Sequence, residues 1–223
     1  MVLPFADRTD AGRLLGQRLL RERLPAPLVV VALPRGGVPV ALEVARALQA
    51  PLDLVIVRKI GAPWQRELAV AAVADGEAPV VEVDEGTAAA TGADRDYLDR
   101  EADLAWREIG RRRAAYLRGR PAMDLAGKTA VLVDDGIATG STARAALHAL
   151  RRRHAAHLVL AVPVAAHESL MELRLLCDRI VCLAEPQPLR AVGQHYIDFH
   201  QVGDAEVIAA LDAAPRAGAQ AAA

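Results

Sequence analysis

The chain has 223 residues, of which 53% are hydrophobic and 25% charged, and its formal net charge at pH 7 is −1. This composition supplies the core of one domain and excludes a chain that is disordered throughout. The near-neutral charge argues against nucleic-acid binding by bulk charge, although it leaves room for a local basic patch.

The N-terminal sequence, the apolar segments and the cysteines indicate the cellular compartment in which the protein is expected. The N-terminus lacks a basic segment followed by an apolar run, and no window approaches ~18 uninterrupted apolar residues, so neither a signal peptide nor a membrane span is expected. Cys177 and Cys182 lie in apolar sequence and imply no disulfide framework. We therefore expect buried thiols and a cytoplasmic protein.

The first quarter of the chain predicts a strand–helix–strand unit. Leucines at helical spacing, with arginines between them, predict an amphipathic helix over residues 7–24. The apolar runs at 28–33 and 52–57 are typical of strands buried on both faces, and the segment 38–50 predicts a helix. Such a unit implies a parallel sheet with a right-handed crossover.

The middle of the chain is more polar. Residues 58–68 contain Gly and Pro among charged residues and predict a mobile loop, followed by short strands at 69–73 and 79–83. The charged stretch 94–118 has apolar residues at roughly helical intervals, which predicts one long solvated helix or two shorter ones.

The second half returns to alternating strands and helices. Strands are predicted at 129–134, 157–165 and 179–184, and helices at 142–153 and 167–176. The segment 185–211 is mixed, and the alanine-rich end at 212–223 is expected to be frayed. The whole pattern predicts an α/β fold with a Rossmann-like parallel sheet and helices on both faces.

The segment VLVDDGIATGST at residues 131–142 carries the strongest functional signal. Asp134 and Asp135 lie at the end of an apolar strand, and folds of this kind bind ligands beyond the carboxyl ends of their parallel strands. Carboxylates suit sugar hydroxyls or a hydrated Mg²⁺.

The loop that follows the two acids suits a phosphate group. Gly136 and Gly140 allow the amides of residues 138–142 to turn inward beside the N-terminus of the next helix. Further donors come from the hydroxyls of Thr139, Ser141 and Thr142. The segment matches neither a Walker A loop nor a dinucleotide fingerprint. A helix cap with a tight glycine turn is the structural alternative.

The segment closely resembles the phosphoribosyl pyrophosphate (PRPP) motif of type I phosphoribosyltransferases. The likeness covers residues 1–211, where ALPRGGVPVA, VRKIGAP and VGQHYIDFHQV resemble bacterial phosphoribosyltransferase-like proteins. It implies a single domain at 1–211 with a tail at 212–223. It also implies PRPP binding by Asp134, Asp135, Ala138, Thr139, Gly140, Ser141 and Thr142. The acids would act on Mg²⁺ indirectly, through ribose or water.

By the same resemblance, PRGG at residues 34–37 is the pyrophosphate loop, with Arg35 and the amides of Gly36 and Gly37 as ligands and a non-proline cis peptide beside Arg35. Arg58 and Lys59 would contact phosphate, and loop 61–68, with Trp64, Arg66 and Glu67, would close over the substrate. The alternative is a glycine turn and solvated cations.

The implied reaction transfers the phosphoribosyl group of PRPP to a nitrogen acceptor, with Mg²⁺ present and pyrophosphate released. The catalytic candidates are Asp134, Asp135, Arg35 and Lys59. Ala138 stands where the hypoxanthine–guanine branch carries an aspartate, so the chain resembles the orotate, amidophosphoribosyl or regulatory branches more closely. The alternatives are a regulatory protein that senses PRPP or nucleotides, and a hydrolase or phosphorylase of ribose phosphates.

The acceptor is expected to lie under a variable hood, built here from residues 1–24 and 185–211. Tyr196 and Phe199 are candidates for stacking on a planar base, with packing onto the core as the alternative, and His167 is a further candidate for the acceptor pocket. A metal site at His195, Asp198 and His200 is a weaker alternative. We expect a homodimer, and helix 94–118 is an insertion that either packs on the hood or mediates dimerisation. The arginine runs at 111–113 and 151–153 are read as solvated helix faces, so a nucleic-acid partner is not expected.

Overall fold

The computed structural model describes residues 4–76 and 80–215. The helices in the described part of the chain are α1 (Arg8–Leu20), α2 (Gly37–Leu48), α3 (Glu85–Thr91), α4 (Arg95–Leu117), α5 (Ser141–Arg152), α6 (His167–Leu173) and α7 (Asp204–Ala213), with a 3₁₀ turn at Val192–His195. The strands are β1 (Leu28–Ala32), β2 (Leu52–Leu54), β3 (Val57–Gly61), β4 (Ala69–Ala74), β5 (Val80–Val83), β6 (Thr129–Val133), β7 (His157–Val164) and β8 (Arg179–Ala184).

Five of these strands form the central sheet, in the order β2–β1–β6–β7–β8. Every neighbouring pair is parallel, as in the β1–β6 pair, where Val30 lies opposite Val131. These strands are nearly continuous apolar runs because helices cover both of their faces.

Successive residues of β1 pack into different layers. Val30 and Ala32 contact the cluster that contains α1, α2 and α7, whereas Val29 and Val31 contact the cluster built on α5. The predicted Rossmann-like parallel sheet with helices on both faces is therefore confirmed.

The segment 52–61 differs from its prediction. Leu52–Leu54 pairs with β1, but the chain then leaves the central sheet, and Val57 opens an antiparallel sheet of order β3–β4–β5. Val55 and Ile56, between the two strands, are buried. The prediction of one strand over 52–57 is wrong for this reason, and so is the prediction of a loop at 58–61, which lies in β3.

The remaining elements agree with the predicted pattern, with two additions. The charged stretch 94–118 is a single helix, α4. The short helix α3 before it was not predicted, and neither was α7, which begins in the segment 185–211 that was predicted only as mixed. Residues 212 and 213 end α7, and the rest of the predicted tail from residue 216 lies outside the described residues. Among the described residues, no helix has the length and apolar character required to cross a membrane.

The two ends of the chain meet beside the sheet. Phe5 forms a parallel bridge with Tyr196, and its amide donates to the carbonyl of His195 at 2.8 Å. The amide of Ile197 donates back to the carbonyl of Phe5 at 2.8 Å. The Tyr196 segment also reaches the loop after β6, because the hydroxyl of Tyr196 donates to the carbonyl of Asp135 at 2.5 Å. The assignment of these segments to a hood stays a prediction.

Candidate active site

The loops after β1 and β6 are in direct contact. The amide of Leu33 donates to the carbonyl of Val133 at 2.9 Å, which aligns the ends of the two strands. A Cβ atom on Gly36 would lie 2.1 Å from Oδ2 of Asp135. No residue larger than glycine fits here unless Asp135 moves, and the contact brings the predicted pyrophosphate loop against the predicted ribose acids.

The loop at 34–37 also has the backbone that the family resemblance implied. The Pro34–Arg35 peptide bond is cis. The amide of Gly37 donates to the carbonyl of Leu33 at 3.1 Å, so this amide is occupied by the protein. The prediction that Gly37 supplies a pyrophosphate ligand through its amide is therefore wrong for this conformation, and Arg35 with the Gly36 amide remain.

The loop at 136–140 presents free backbone donors. Its ends are fixed to β7, because Ile137 donates to the carbonyl of Val164 and Ala166 donates to the carbonyl of Ile137, both at 2.9 Å. The amides of residues 138–142 donate to no group in the described part of the chain. Gly140 has φ +75° and precedes the first turn of α5, so the helix begins with unpaired N–H groups. Free amides at the positive end of a helix form an anion site.

The hydroxyl groups of this loop line the same small cavity. Its volume is about 200 Å³, and its walls include Thr139, Ser141, Thr142, Asp134 and Lys59. The cavity combines amides, hydroxyls and one ammonium group, as a phosphate group requires.

The two acids differ in environment. Asp135 donates its amide to Oδ1 of Asp134 at 2.9 Å, which holds the two carboxyl groups side by side. Burial raises the pKa of Asp134 well above its ordinary value, and the negative charge of Asp135 raises it further. The pair therefore resists carrying two negative charges until a cation or hydroxyl donors arrive.

Lys59 and Arg58 occupy opposite faces of β3, since successive side chains of a strand alternate. Lys59 lines the cavity of the phosphate loop. Nη1 of Arg58 lies 3.9 Å from Oε1 of Glu108 on α4. The structure brings Lys59 to the predicted site and places Arg58 beside α4, so this conformation favours Lys59 over Arg58 as the phosphate ligand.

A second cavity of about 360 Å³ adjoins the acids on the side of Arg35. Nη1 of Arg35 makes a single long contact of 3.4 Å with Oδ1 of Asp204, the first residue of α7. The hydroxyl of Tyr116 donates to the same oxygen at 2.8 Å and is the main cause of the lowered pKa of Asp204. Arg35 is thus positioned by α7 but remains partly exposed, with donors available to a ligand.

Arg8 belongs to this site, although nothing in the sequence around it singled it out. The side chain of Asp7 accepts the amide of Asp10 at 2.7 Å and starts α1 at Arg8. Nε of Arg8 then donates to Oδ2 of Asp135 at 2.8 Å, and Nη1 donates to the carbonyl of His200 at 2.8 Å. Its guanidinium carbon lies 3.8 Å from the centre of the Phe199 ring.

The predicted acceptor residues are less available than expected. Tyr196 is buried at 5% exposure, its ring lies beside Phe5 and Phe199, and its hydroxyl donates to the carbonyl of Asp135 at 2.5 Å. It supports the acid loop and offers no open face, so the stacking role predicted for Tyr196 is corrected. Phe199 has Arg8 on its ring. The imidazole of His167 pairs with Glu185 at 3.0 Å and lines neither of the two cavities.

The residues of the alternative metal site are partly engaged with other side chains of the protein. His200 contacts Glu206 and Asp198 at 3.1 and 3.2 Å, and these hydrogen bonds raise the pKa of its imidazole. No group of three or more metal-ligating side chains occurs in the described ranges, which argues against the metal-site alternative at His195, Asp198 and His200.

The arginine runs are also largely neutralised within the protein. Arg111 and Arg112 hydrogen-bond to Glu108 and lower its pKa to about 2. Arg113 pairs with the buried Asp75, and Arg153 pairs with the buried Asp53 at 2.9 Å. The reading of both runs as solvated helix faces is therefore wrong for Arg113 and Arg153, which pair with buried acids.

The donor set fits Mg²⁺ as a shared ion. The two adjacent carboxylates of Asp134 and Asp135 supply oxygen ligands, the type Mg²⁺ prefers, but too few for a closed protein site. Magnesium commonly binds through one or two carboxylates and completes its shell with water and substrate phosphates. The acid pair suits that arrangement.

Comparison with known proteins agrees with this geometry. The family described as "Phosphoribosyl transferase domain" matches residues 10–193. Two curated proteins of Mycobacterium tuberculosis, from strains CDC 1551 and H37Rv, carry provisional names as phosphoribosyl transferases and are 46% identical over 217 residues. The match covers 97% of this chain and 48% of each relative, so the chain spans about half their length.

A solved structure is also similar over nearly its whole length. The crystal structure of the protein TT1426 from Thermus thermophilus shares 43% identity and has a TM-score of 0.80, covering 94% of this chain and 98% of that chain. A family match over most of the chain, together with the loops, acids and cations at the sheet edge, confirms the resemblance noted in the sequence. The chain belongs to the phosphoribosyl transferase family.

Proposed function

We propose that the chain uses PRPP and Mg²⁺ to transfer the 5-phosphoribosyl group to a nitrogen acceptor, a base or an amine, with release of pyrophosphate. The observation that carries this proposal is the convergence of three different binding chemistries at one sheet edge. Free amides and hydroxyls at 138–142 suit a 5′-phosphate, the acid pair suits ribose hydroxyls, and Arg35 with Lys59 suits a pyrophosphate.

The reaction breaks the bond between C1′ and the pyrophosphate oxygen and forms a bond between C1′ and the acceptor nitrogen. Negative charge grows on the departing pyrophosphate, so cations placed beside it stabilise the transition state. Arg35 and Lys59 would supply protein charge there, and Mg²⁺ when bound would neutralise more of it. Asp134 and Asp135 would hold the ribose in place for the displacement.

Exclusion of water would complete the site, because water competes as a nucleophile. The connection at 62–68 between β3 and β4 begins beside Lys59 and exposes 91% of Trp64. It is the segment that we propose as the lid. We further propose that the protein works as a homodimer in nucleotide metabolism and that the segments 1–24 and 185–211 form the hood over the acceptor.

A binding experiment tests the donor site. Titration calorimetry with PRPP in the presence of Mg²⁺ should show binding that Asp135→Asn and Thr139→Ala each weaken by at least about tenfold, the effect of one lost charge-assisted hydrogen bond. Asp99→Asn and Thr91→Ala are matched controls, because both residues lie on the helices α3 and α4, outside the cleft. Unchanged affinity in both site variants would refute the assignment.

A turnover experiment tests the reaction. PRPP is offered with a panel of purines, pyrimidines, ammonia and amines, and pyrophosphate release is measured for each acceptor. Release with one acceptor class supports the transferase. Tight PRPP binding without release across the panel favours a PRPP- or nucleotide-sensing protein, and cleavage of nucleotides without PRPP favours a hydrolase or phosphorylase.

A further inference from the structure

Arg8 connects three segments that are distant in sequence. It lies in the first turn of α1, donates to the side chain of Asp135, and donates to the carbonyl of His200 in the C-terminal segment. Its guanidinium group also lies close enough to Phe199 for a cation–π contact, at 3.8 Å from the ring centre. The arginine thus links the acid pair to both terminal segments.

The hydrogen bonds of Arg8 indicate how it can act. Arg8 reaches the wall of the cavity beside Arg35, but it is only 7% exposed, and both of its hydrogen bonds go to protein atoms. The side chain of Asp135 is 14% exposed, and its Oδ2 accepts from Arg8 and is closely approached by Gly36. The Oδ1 atom is the more open oxygen for a hydrogen bond from a ligand. Arg8 can therefore influence a ligand through its hold on Asp135.

The contact also makes the acid pair asymmetric. Nε of Arg8 donates to Oδ2 of Asp135 at 2.8 Å, whereas the described hydrogen bonds of Arg8 include none to Asp134. A buried guanidinium is unfavourable without an anion beside it, so the fixed position of Arg8 favours one orientation of the Asp135 carboxylate.

We propose that Arg8 is a positioning residue that fixes the orientation of Asp135 for the ribose hydroxyls of PRPP and makes this orientation depend on the Phe199–His200 segment. This proposal rests on the proposed function. We assign Arg8 a positioning role and not a catalytic one, since its hydrogen bonds go to Asp135 and His200. Its side chain is the physical link between the donor site and the terminal segments.

A double-mutant cycle separates this role from general stabilisation. PRPP affinity is measured by calorimetry in Mg²⁺ for the wild type, Arg8→Gln, Asp135→Asn and the double variant. Arg8→Gln should weaken binding by about 10–100-fold, as expected for loss of charge-assisted hydrogen bonds. The same change made in the Asp135→Asn protein should add less than about twofold, since the group through which Arg8 acts has already lost its charge.

Two further variants control the cycle. Arg8→Lys keeps the charge but has one donor group in place of the guanidinium fork, so its affinity should fall between those of the wild type and Arg8→Gln. Arg13→Gln, on the same helix, removes an exposed arginine that pairs with Glu43 and should leave PRPP affinity unchanged. If Arg8→Gln does not fold, Arg8→Lys is compared with the wild type alone: weaker PRPP binding supports the proposal, and wild-type affinity overturns it.

The outcomes distinguish this proposal from the function on which it rests. Failure of the wild type to bind PRPP overturns both. Weakened binding in Asp135→Asn with wild-type binding in Arg8→Gln and Arg8→Lys overturns only the role of Arg8. Equal effects of Arg8→Gln in both backgrounds would show that Arg8 acts independently of Asp135, and this also overturns the proposal.

Discussion

Replacing Gly36 with alanine tests whether the two site loops must touch. The backbone at Gly36 has φ −58° and ψ −37°, a conformation that alanine adopts freely. The added Cβ atom would nevertheless lie 2.1 Å from Oδ2 and 2.7 Å from Cγ of Asp135. Ordinary contacts of this kind begin at 3.4 Å, so the carboxyl group or the loop must move by roughly 1 Å. The substitution therefore adds no backbone strain and acts through its contact with Asp135.

The expected magnitude has two parts. Overpacking at a tight contact costs about 1–3 kcal/mol of unfolding free energy. Displacement of Asp135 also disturbs the 2.8 Å hydrogen bond from Arg8 to Oδ2. A misplacement of about 1 Å in a positioning group can reduce activity by about 100-fold, and we expect a loss of PRPP affinity of the same order.

Denaturant unfolding and PRPP calorimetry measure the two parts separately. Gly110→Ala is the matched control, because Gly110 lies inside α4 and a Cβ atom there meets no atom within 4 Å. That control should gain about 0.5–1 kcal/mol of stability from the better helix former and bind PRPP normally. If Gly36→Ala binds PRPP with wild-type affinity, close contact between the two loops is not required and our account of Asp135 is wrong.

Three further predictions concern charge. A raised carboxyl pKa stabilises the native state below the ordinary value of 3.8, where the group is protonated in both states. This contribution is lost as pH rises through the raised pKa, because Asp134 must then be charged while buried. Asp134→Asn should therefore be more stable than the wild type at neutral pH. Urea unfolding should show that difference shrinking towards pH 4; a pH-independent difference contradicts it. Lys59→Gln should weaken PRPP binding, measured by calorimetry, by about 10–100-fold, whereas Arg58→Gln should change it by less than about twofold. Equal losses in the two variants would contradict the assignment of Lys59 and Arg58 to opposite faces of β3. Burial raises the pKa of Cys177 and of Cys182 from 9.0 to about 11. At pH 8 both thiols of the folded protein should therefore react with iodoacetamide about 100-fold more slowly than free cysteine. In the denatured protein this difference should disappear.

The central sheet was predictable because burial on both faces leaves a strong sequence signal. The runs at 28–33 and 129–134 are apolar at nearly every position, and both form strands within one residue of the expected bounds. The phosphate loop was predictable for a related reason, since glycines and hydroxyl residues after a buried strand have few other uses. These features depend on local sequence.

Features that depend on distant partners were not predictable. The apolar run 52–57 continues through Val55 and Ile56, which are buried in different clusters, so hydrophobicity alone could not show that the chain changes sheet there. Neither could sequence distinguish Arg8 from the other arginines of α1, because its partners are 127 and 192 residues away. The same applies to Asp204, which positions Arg35 from the start of α7.

The contacts of Asp135 indicate how binding of the donor is connected to the rest of the site. Three parts of the protein hold this one residue: Arg8 contacts its carboxylate, Gly36 packs against the same oxygen, and the hydroxyl of Tyr196 donates to its carbonyl. Two of these parts, the N-terminal helix and the segment that contains Tyr196, also form the edge that we propose as the acceptor hood. A movement of the hood would therefore change the orientation of Asp135. Because coupling between two sites is reciprocal, a ligand that orders Asp135 would in turn favour one arrangement of the hood. On this reasoning, PRPP and the acceptor should each raise the affinity for the other, even though they need share no side chain.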